Sequence, residues 1–344
     1  MIPQRLSSVV RGSALATGIA ALLGTADLAS AQQGTFLAQS GLLVIEMESA
    51  PTVDDWQFST STPGFVGDGY FIWRGPDLFN SPGASGIFGF DFEVQTDATW
   101  ILSLRNRHED PDSTEENDVW IRMDGGQWVK VFSNFPGSVG NWTYESRFDF
   151  GSSQPMPQAS YDLSPGVHRI EFSGRSRNFK MDRLHLHLPG HPGATDPNRP
   201  ESPRRFGNPF CPPTQNSSGQ PSFLEAFGSP RASDGDLVLR CTGLPQGVVG
   251  YFLASMDRGS QTTPPGSVGG LCLTGAIGRY AGDILNSGAS STISFRIDTG
   301  AIPQPSGSVA ALAGDRWNFQ FWHRDAGPSG PVSNLSAALE VRFE

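Results

Sequence analysis

Apolar and polar residues alternate with a period of two through much of the chain. Val119, Ile121 and Met123 alternate with Trp120 and Arg122, and Asp124-Gly125-Gly126 then turns the chain into Trp128-Val129-Lys130-Val131-Phe132. Alternation on both sides of an Asp-Gly turn predicts a β-hairpin. Ile170 and Phe172 alternate with Arg169 and Glu171, and Leu184, Leu186 and Leu188 alternate with His185 and His187. The same style recurs at Leu237 to Arg240, Gly250 to Ala254, Thr292 to Ile297, Trp317 to Trp322 and Leu339 to Phe343. Short strands between turn signals predict an all-β chain of sandwich type. No internal repeat links its two halves.

Composition agrees with this pattern. The 344 residues include 41 Gly, 27 Pro, 23 Phe and 8 Trp but only 17% charged residues, which leaves little that reads as amphipathic helix. At the start, Arg5 and Arg11 precede a small, apolar stretch from Ala14 to Ala29, and Ala29-Ser30-Ala31 has the form of an export cleavage site. Residues 1–31 therefore read as a signal peptide, with a secreted or cell-surface destination, or the periplasm. Gly18, Gly24, Thr25 and Asp27 break the apolar run before it reaches membrane-spanning length, and no other stretch is long enough. The run from Pro189 to Pro200 is rich in Pro, Gly and polar residues, so 189–205 reads as a linker between domains at 40–188 and 206–344.

Net charge and cysteine usage exclude some function classes. A formal charge of -10 argues against nucleic acid or an anionic membrane surface as partner. Cys211, Cys241 and Cys272 allow one disulfide in an exported protein, and spacing alone leaves three pairings open. GxSxG, HExxH, Walker and GxGxxG motifs are all missing from the sequence. A glycosidase needs only two carboxylates placed by the fold, and Asp91 with Glu93 or Asp118 with Asp124 are candidates that spacing cannot certify. The acidic run His108 to Asp118 lacks an EF-hand arrangement, and His185 with His187 lack a third metal ligand. The acidic run reads as a solvated loop and the histidines as part of a half-exposed strand face.

Leu43-Val44-Ile45-Glu46-Met47-Glu48 is the most suggestive segment. Carboxylates two residues apart leave a strand on the same face, where they either hold a hard cation or face water. In sequence order there follow Phe65-Val66-Gly67-Asp68-Gly69-Tyr70, Leu102-Ser103-Leu104-Arg105-Asn106-Arg107, Gly140-Asn141-Trp142-Thr143-Tyr144, Ser164-Pro165-Gly166-Val167-His168-Arg169-Ile170 and Met181-Asp182-Arg183-Leu184. This order resembles carbohydrate-binding modules of the family 6 and 35 type and covers nearly the whole first domain.

The resemblance implies a galactose-binding-like jelly-roll β-sandwich with a structural calcium held by Glu46, Glu48 and Asp182. It also implies a ligand face, built from loops, on which Trp142 and Tyr144 form an aromatic platform for a polysaccharide. Stacking of a pyranose C–H face on such rings is the chemistry a sugar site needs, although a core role for Trp142 is the competing reading. The family's polar Asn falls where this chain has Lys180, and Asn178 lies two residues further back. Lys180, with Arg175 and Arg177 nearby, points toward an anionic glycan such as a uronate.

The second domain resembles a β-rich C-terminal module of large exported bacterial proteins, on Cys211 with Asn216-Ser217-Ser218-Gly219, Gly250-Tyr251-Phe252-Leu253, Gly270-Leu271-Cys272-Leu273, Arg279, Gly314 to Asp325 and Ser333-Asn334. That resemblance assigns no chemistry, but it implies a Cys211–Cys272 disulfide with Cys241 free. The expected fold is thus a jelly-roll β-sandwich followed by a second β-rich domain, and the expected function is non-catalytic glycan binding. A polysaccharide hydrolase or lyase, or a structural surface protein without a sugar site, are the alternatives. The sequence fixes no oligomeric state.

Overall fold

The computed structural model describes residues 34–112, 114–134, 137–151 and 156–344, so the expected signal peptide lies outside the described residues. The described residues form β-strands and two 3-10 turns, with no α-helix. None of their helices is long and apolar enough to cross a membrane.

The first unit contains β1 (Thr35–Leu37), β2 (Leu42–Glu46), β3 (Trp56–Ser59), β4 (Tyr70–Trp73), β5 (Phe88–Val94) and β6 (Ala98–Arg107), then β7 (Asp118–Met123), β8 (Val129–Phe132), β9 (Arg147–Asp149), β10 (Ser160–Leu163), β11 (Gly166–Gly174) and β12 (Lys180–His187). One layer runs β1-β5-β11-β7-β8-β9 and the other β10-β6-β12-β4-β3, with β2 also paired to β12. The predicted hairpin is β7–β8, with Ile121 opposite Val129 and Asp124 and Gly125 in the left-handed region at the turn. Period-two alternation puts Phe88, Phe90 and Phe92 of β5 and Ile170 and Phe172 of β11 between the layers, where all are buried. Phe88 stacks on Phe172 at 5.3 Å and meets Trp56 and Phe71 edge-on, so aromatic packing joins the two sheets.

β12 is buried at all eight positions, because its outer face is covered as well as its inner one. His185 and His187 therefore do not line a half-exposed face; they are 0% and 5% exposed. The cover comes partly from the segment expected as a linker. His185 Nδ1 donates to Ala194 O at 2.8 Å, Arg183 Nη1 donates to Pro197 O and Arg199 O, and Ser202 N donates to Val44 O. This Pro/Gly-rich segment has little apolar surface to bury, and hydrogen bonds to β2 and β12 order it instead.

β13 (Arg204–Phe206) then pairs antiparallel with β1 and with the strand Phe223–Gly228. A single ten-stranded sheet therefore passes from the first unit into the second and ends at Ile293–Ile297. In the second unit it packs on a seven-stranded sheet built around Arg316–Gly327, whose Trp317, Phe319 and Phe321 are fully buried in a core separate from the first. Trp322, on the opposite face, is half-buried against Tyr251 at 4.9 Å. Cys211 and Cys272 form the disulfide, and Cys241 is free and buried.

Candidate functional site

Strand β2 ends at Glu46 and the chain enters the 3-10 turn Met47–Ser49, so Glu48 does not share a strand face with Glu46 as the sequence pattern predicts. The two carboxylates nevertheless converge on one point. A β-carbon at Gly67, which has φ 65°, would overlap Glu48 Oε1 and come within 3.2 Å of the Glu46 carboxyl carbon. Only glycine lets the backbone pass this close in that conformation. The adjoining amides complete the arrangement: Asp68 N donates to Glu48 Oε1 at 2.7 Å, and Val66 N is shared between the two oxygens of Asp182 at 3.3 and 3.2 Å. The loop 65–68 thus brings together all three residues of the expected calcium set.

Electrostatics divide the three carboxylates. Glu46 is ion-paired with Arg183, directly opposite it across β2 and β12, and its neighbour Asp182 is ion-paired with Arg105. Among the described residues Glu48 has no such ion pair. Its Oε2 is buried without a hydrogen bond, and burial pushes its pKa from 4.5 up to about 7. Burial also raises Asp182 from 3.8 to about 6, against the opposing pull of Arg105. Among the described residues no group of three or more His, Cys, Asp or Glu side chains is set as a metal cluster. Glu48, whose buried oxygen lacks a hydrogen bond, is the donor open to a hard cation, while Glu46 and Asp182 lie against the same loop in ion pairs of their own.

Trp142 lies beyond the same loop. Its Nε1 donates to Pro63 O at 3.0 Å, its ring meets Tyr70 edge-on at 5.2 Å, and the Arg105 guanidinium lies 5.0 Å from its centroid. The indole is half-buried and fixed from several directions, with part of it left to solvent. Tyr144 does not extend this surface as an open platform. Its ring sits between Arg105 and His185, and its hydroxyl is buried without a partner.

The expected polar residues are engaged within the protein. Asn178, in the left-handed region at φ 69°, accepts from Arg74 at 2.5 Å and donates to Glu116 at 2.7 Å. Lys180 is buried with its Nζ 3.5 Å from Glu109, which also pairs with Arg107. Arg175 is ion-paired with Asp118 and stacked near Phe79 and Trp120. Lys180 and Arg175, two of the three cations that pointed toward a uronate, are therefore neutralised locally, while Arg177 is exposed. Arg105 is the residue that sequence reasoning missed. Its place in Leu104-Arg105-Asn106 marks it only as an outward strand position, whereas in the fold it links Trp142, Tyr144 and Asp182.

The carboxylate pairs considered for hydrolysis are tied up too. Asp91 pairs with Arg169, Glu93 with Arg205, and Asp124 with His168. Asp118 and Asp124 bracket β7, which separates them by roughly 20 Å at ~3.3 Å per residue, too far to share one glycosidic bond.

The chain matches no family profile and no curated protein. Among solved structures it is similar to the GH26-CBM35 β-(1,4)-mannanase of Podospora anserina, with a TM-score of 0.32 and 19% identity, covering 47% of this chain and 29% of that one. It is also similar to a cycloisomaltooligosaccharide glucanotransferase of Paenibacillus sp. complexed with cycloisomaltoheptaose, with a TM-score of 0.30 and 12% identity, covering 89% of this chain and 46% of that one. The chain thus spans less than half the length of either structure it resembles.

Proposed function

We propose that the protein is an exported, non-catalytic carbohydrate-binding protein that recognises a polysaccharide through the Trp142 end of its first sandwich. The observation that carries this reading is the fixed, half-exposed indole of Trp142, held by Pro63 O, Tyr70 and Arg105. A ring immobilised before binding loses little entropy when a pyranose stacks on it. The pairing of Lys180 with Glu109 and of Arg175 with Asp118 favours a neutral glycan over a uronate. The ion pairs at Asp91, Glu93, Asp118 and Asp124 favour binding over hydrolysis. A disulfide accords with an oxidising, extracytoplasmic setting.

Calcium belongs to this proposal as a structural ion. Glu48, Asp182 and Glu46 would hold it, and when bound it supplies positive charge that keeps buried carboxylates ionised. Fixing Glu48 and Asp182 also fixes the loop 65–68, whose neighbour Pro63 orients Trp142. The test is retardation of the protein in gels containing neutral polysaccharides or polyuronates, with calcium or a chelator, for wild type and Trp142→Ala. Retardation by a neutral glycan that Trp142→Ala abolishes is expected. Preference for polyuronates would overturn the neutral reading, and binding untouched by Trp142→Ala would overturn the site.

A further inference from the structure

A concave site opens on the other side of the loop 60–68, where the second unit meets the first. Its cavity of about 310 Å³ has Trp56 and Phe71 as its floor, each 5% exposed. Phe58, 49% exposed, forms a wall, and Glu48, Ala50, Thr52, Asp68 and Arg231 stand around it, so the cavity borders the carboxylate of Glu48 assigned above to calcium. Arg231 comes from the second unit and pairs with Asp68 at 2.7 Å, so the site is complete only when both units are present.

The origin of the wall lies in strand alternation. Trp56 and Phe58 leave β3 on the same face, and Phe58 pairs in register with Phe71 of β4. The aromatic row that fills the core thus continues one position past it, and Phe58 emerges into the cavity. The ring lies across Gly69, where a β-carbon would come within 2.5 Å of it, so the absence of a side chain there sets the ring's place. An exposed phenylalanine costs a soluble protein solubility, and here it borders a preformed cavity with polar groups converging on it.

The geometry points to a junctional binding site for a single neutral hexopyranose residue. A pyranose offers an apolar C–H face that matches Phe58 and a rim of hydroxyls that both donate and accept. Asp68 and Glu48 offer acceptors and Arg231 donates; the cation is already paired with Asp68, so no free positive charge is left for an anion and the mixed donors and acceptors suit the hydroxyls of a neutral polyol. The volume lies at the lower end of the ~300–1,000 Å³ typical of small-ligand sites, which suits one ring and excludes an enclosed oligosaccharide. The proposal shares the ligand class of the glycan-binding reading, but its residues are separate from Trp142.

The test uses the full chain with methyl hexopyranosides of glucose, mannose and galactose, observed by saturation-transfer NMR and quantified by titration. Wild type and Trp142→Ala should bind at least one of them alike. Phe58→Ala and Arg231→Gln should each weaken that binding by roughly tenfold, and Phe58→Tyr, which keeps the ring, should retain it. The melting temperature of each variant reports folding, and Arg231→Gln decides the matter if Phe58→Ala unfolds. Absence of hexopyranoside binding by wild type, or binding that Arg231→Gln leaves intact, would overturn the junctional site. Hexopyranoside binding lost in Phe58→Ala, alongside no polysaccharide retardation, would sustain this site while refuting the Trp142 site.

Discussion

Glu48 is held on one side by the Asp68 amide, while its other oxygen is buried without a donor. Its folded pKa of about 7 lies above the ordinary 4.5, so the folded state binds the proton more tightly than the unfolded one. The stability from this group is therefore fully present below pH 4.5 and is lost as pH rises through 7. The loss is roughly 3 kcal/mol at ~1.4 kcal/mol per pKa unit. Asp182 acts in the same direction between 3.8 and about 6. Chelator-treated protein should melt at a falling temperature across this range, and calcium should restore the melting temperature most strongly above pH 7. Thermal denaturation with and without the chelator checks this, and an identical profile in both would rule out a structural calcium. Glu48→Gln should flatten the dependence, because it has no charge to bury.

β12 shows how one strand can organise a site from both faces. Its inward Met181, Leu184 and Leu186 serve the core, while outward Arg183 reaches Glu46 and the carbonyls of Pro197 and Arg199. Arg183→Ala should leave Glu46 buried and unpaired, at a cost of about 3–5 kcal/mol, and should free residues 189–201. Denaturant unfolding and hydrogen exchange of that segment measure the two effects. Inward Leu184 and Leu186 were legible in the strand's alternation, and so was the β7–β8 hairpin, but Met181 was not, because the register shifts between Met181 and Arg183. The outward half was not, because period two says only that His185 and His187 leave the core face. What covers that second face is a segment whose Pro/Gly composition signals weak apolar burial and says nothing of hydrogen bonds. Glu46 and Glu48 stood out by their two-residue spacing, whereas their approach to Asp182 was implied only by the ordered resemblance, since the contacts near them run through the loop 65–68. Tyr144 and Lys180 read as outward residues, and their burial depends on partners remote in sequence, such as Glu109 and His185.

The two units are fastened along a continuous sheet. Arg204, 1% exposed, pairs with Glu201 at 2.8 Å, donates to Ser49 Oγ at 2.7 Å and lies 4.5 Å from the Phe36 ring centroid. Together with the Asp68–Arg231 pair, these contacts give the second unit a structural part in the first. Within the second unit the disulfide spans 61 residues, and closing such a loop stabilises a fold by about 4 kcal/mol in the chain-entropy treatment. Cys211→Ser with Cys272→Ser should accordingly lower denaturant stability of that unit while leaving glycan retardation at the Trp142 end unchanged. Glycan recognition at the Trp142 end is read out by isothermal titration of wild type and Trp142→Ala with the neutral polysaccharide that retards the protein in gels. Wild type should bind measurably and the variant should lose roughly tenfold or more in affinity, with its melting curve still cooperative. Equal affinities for the two proteins would contradict it.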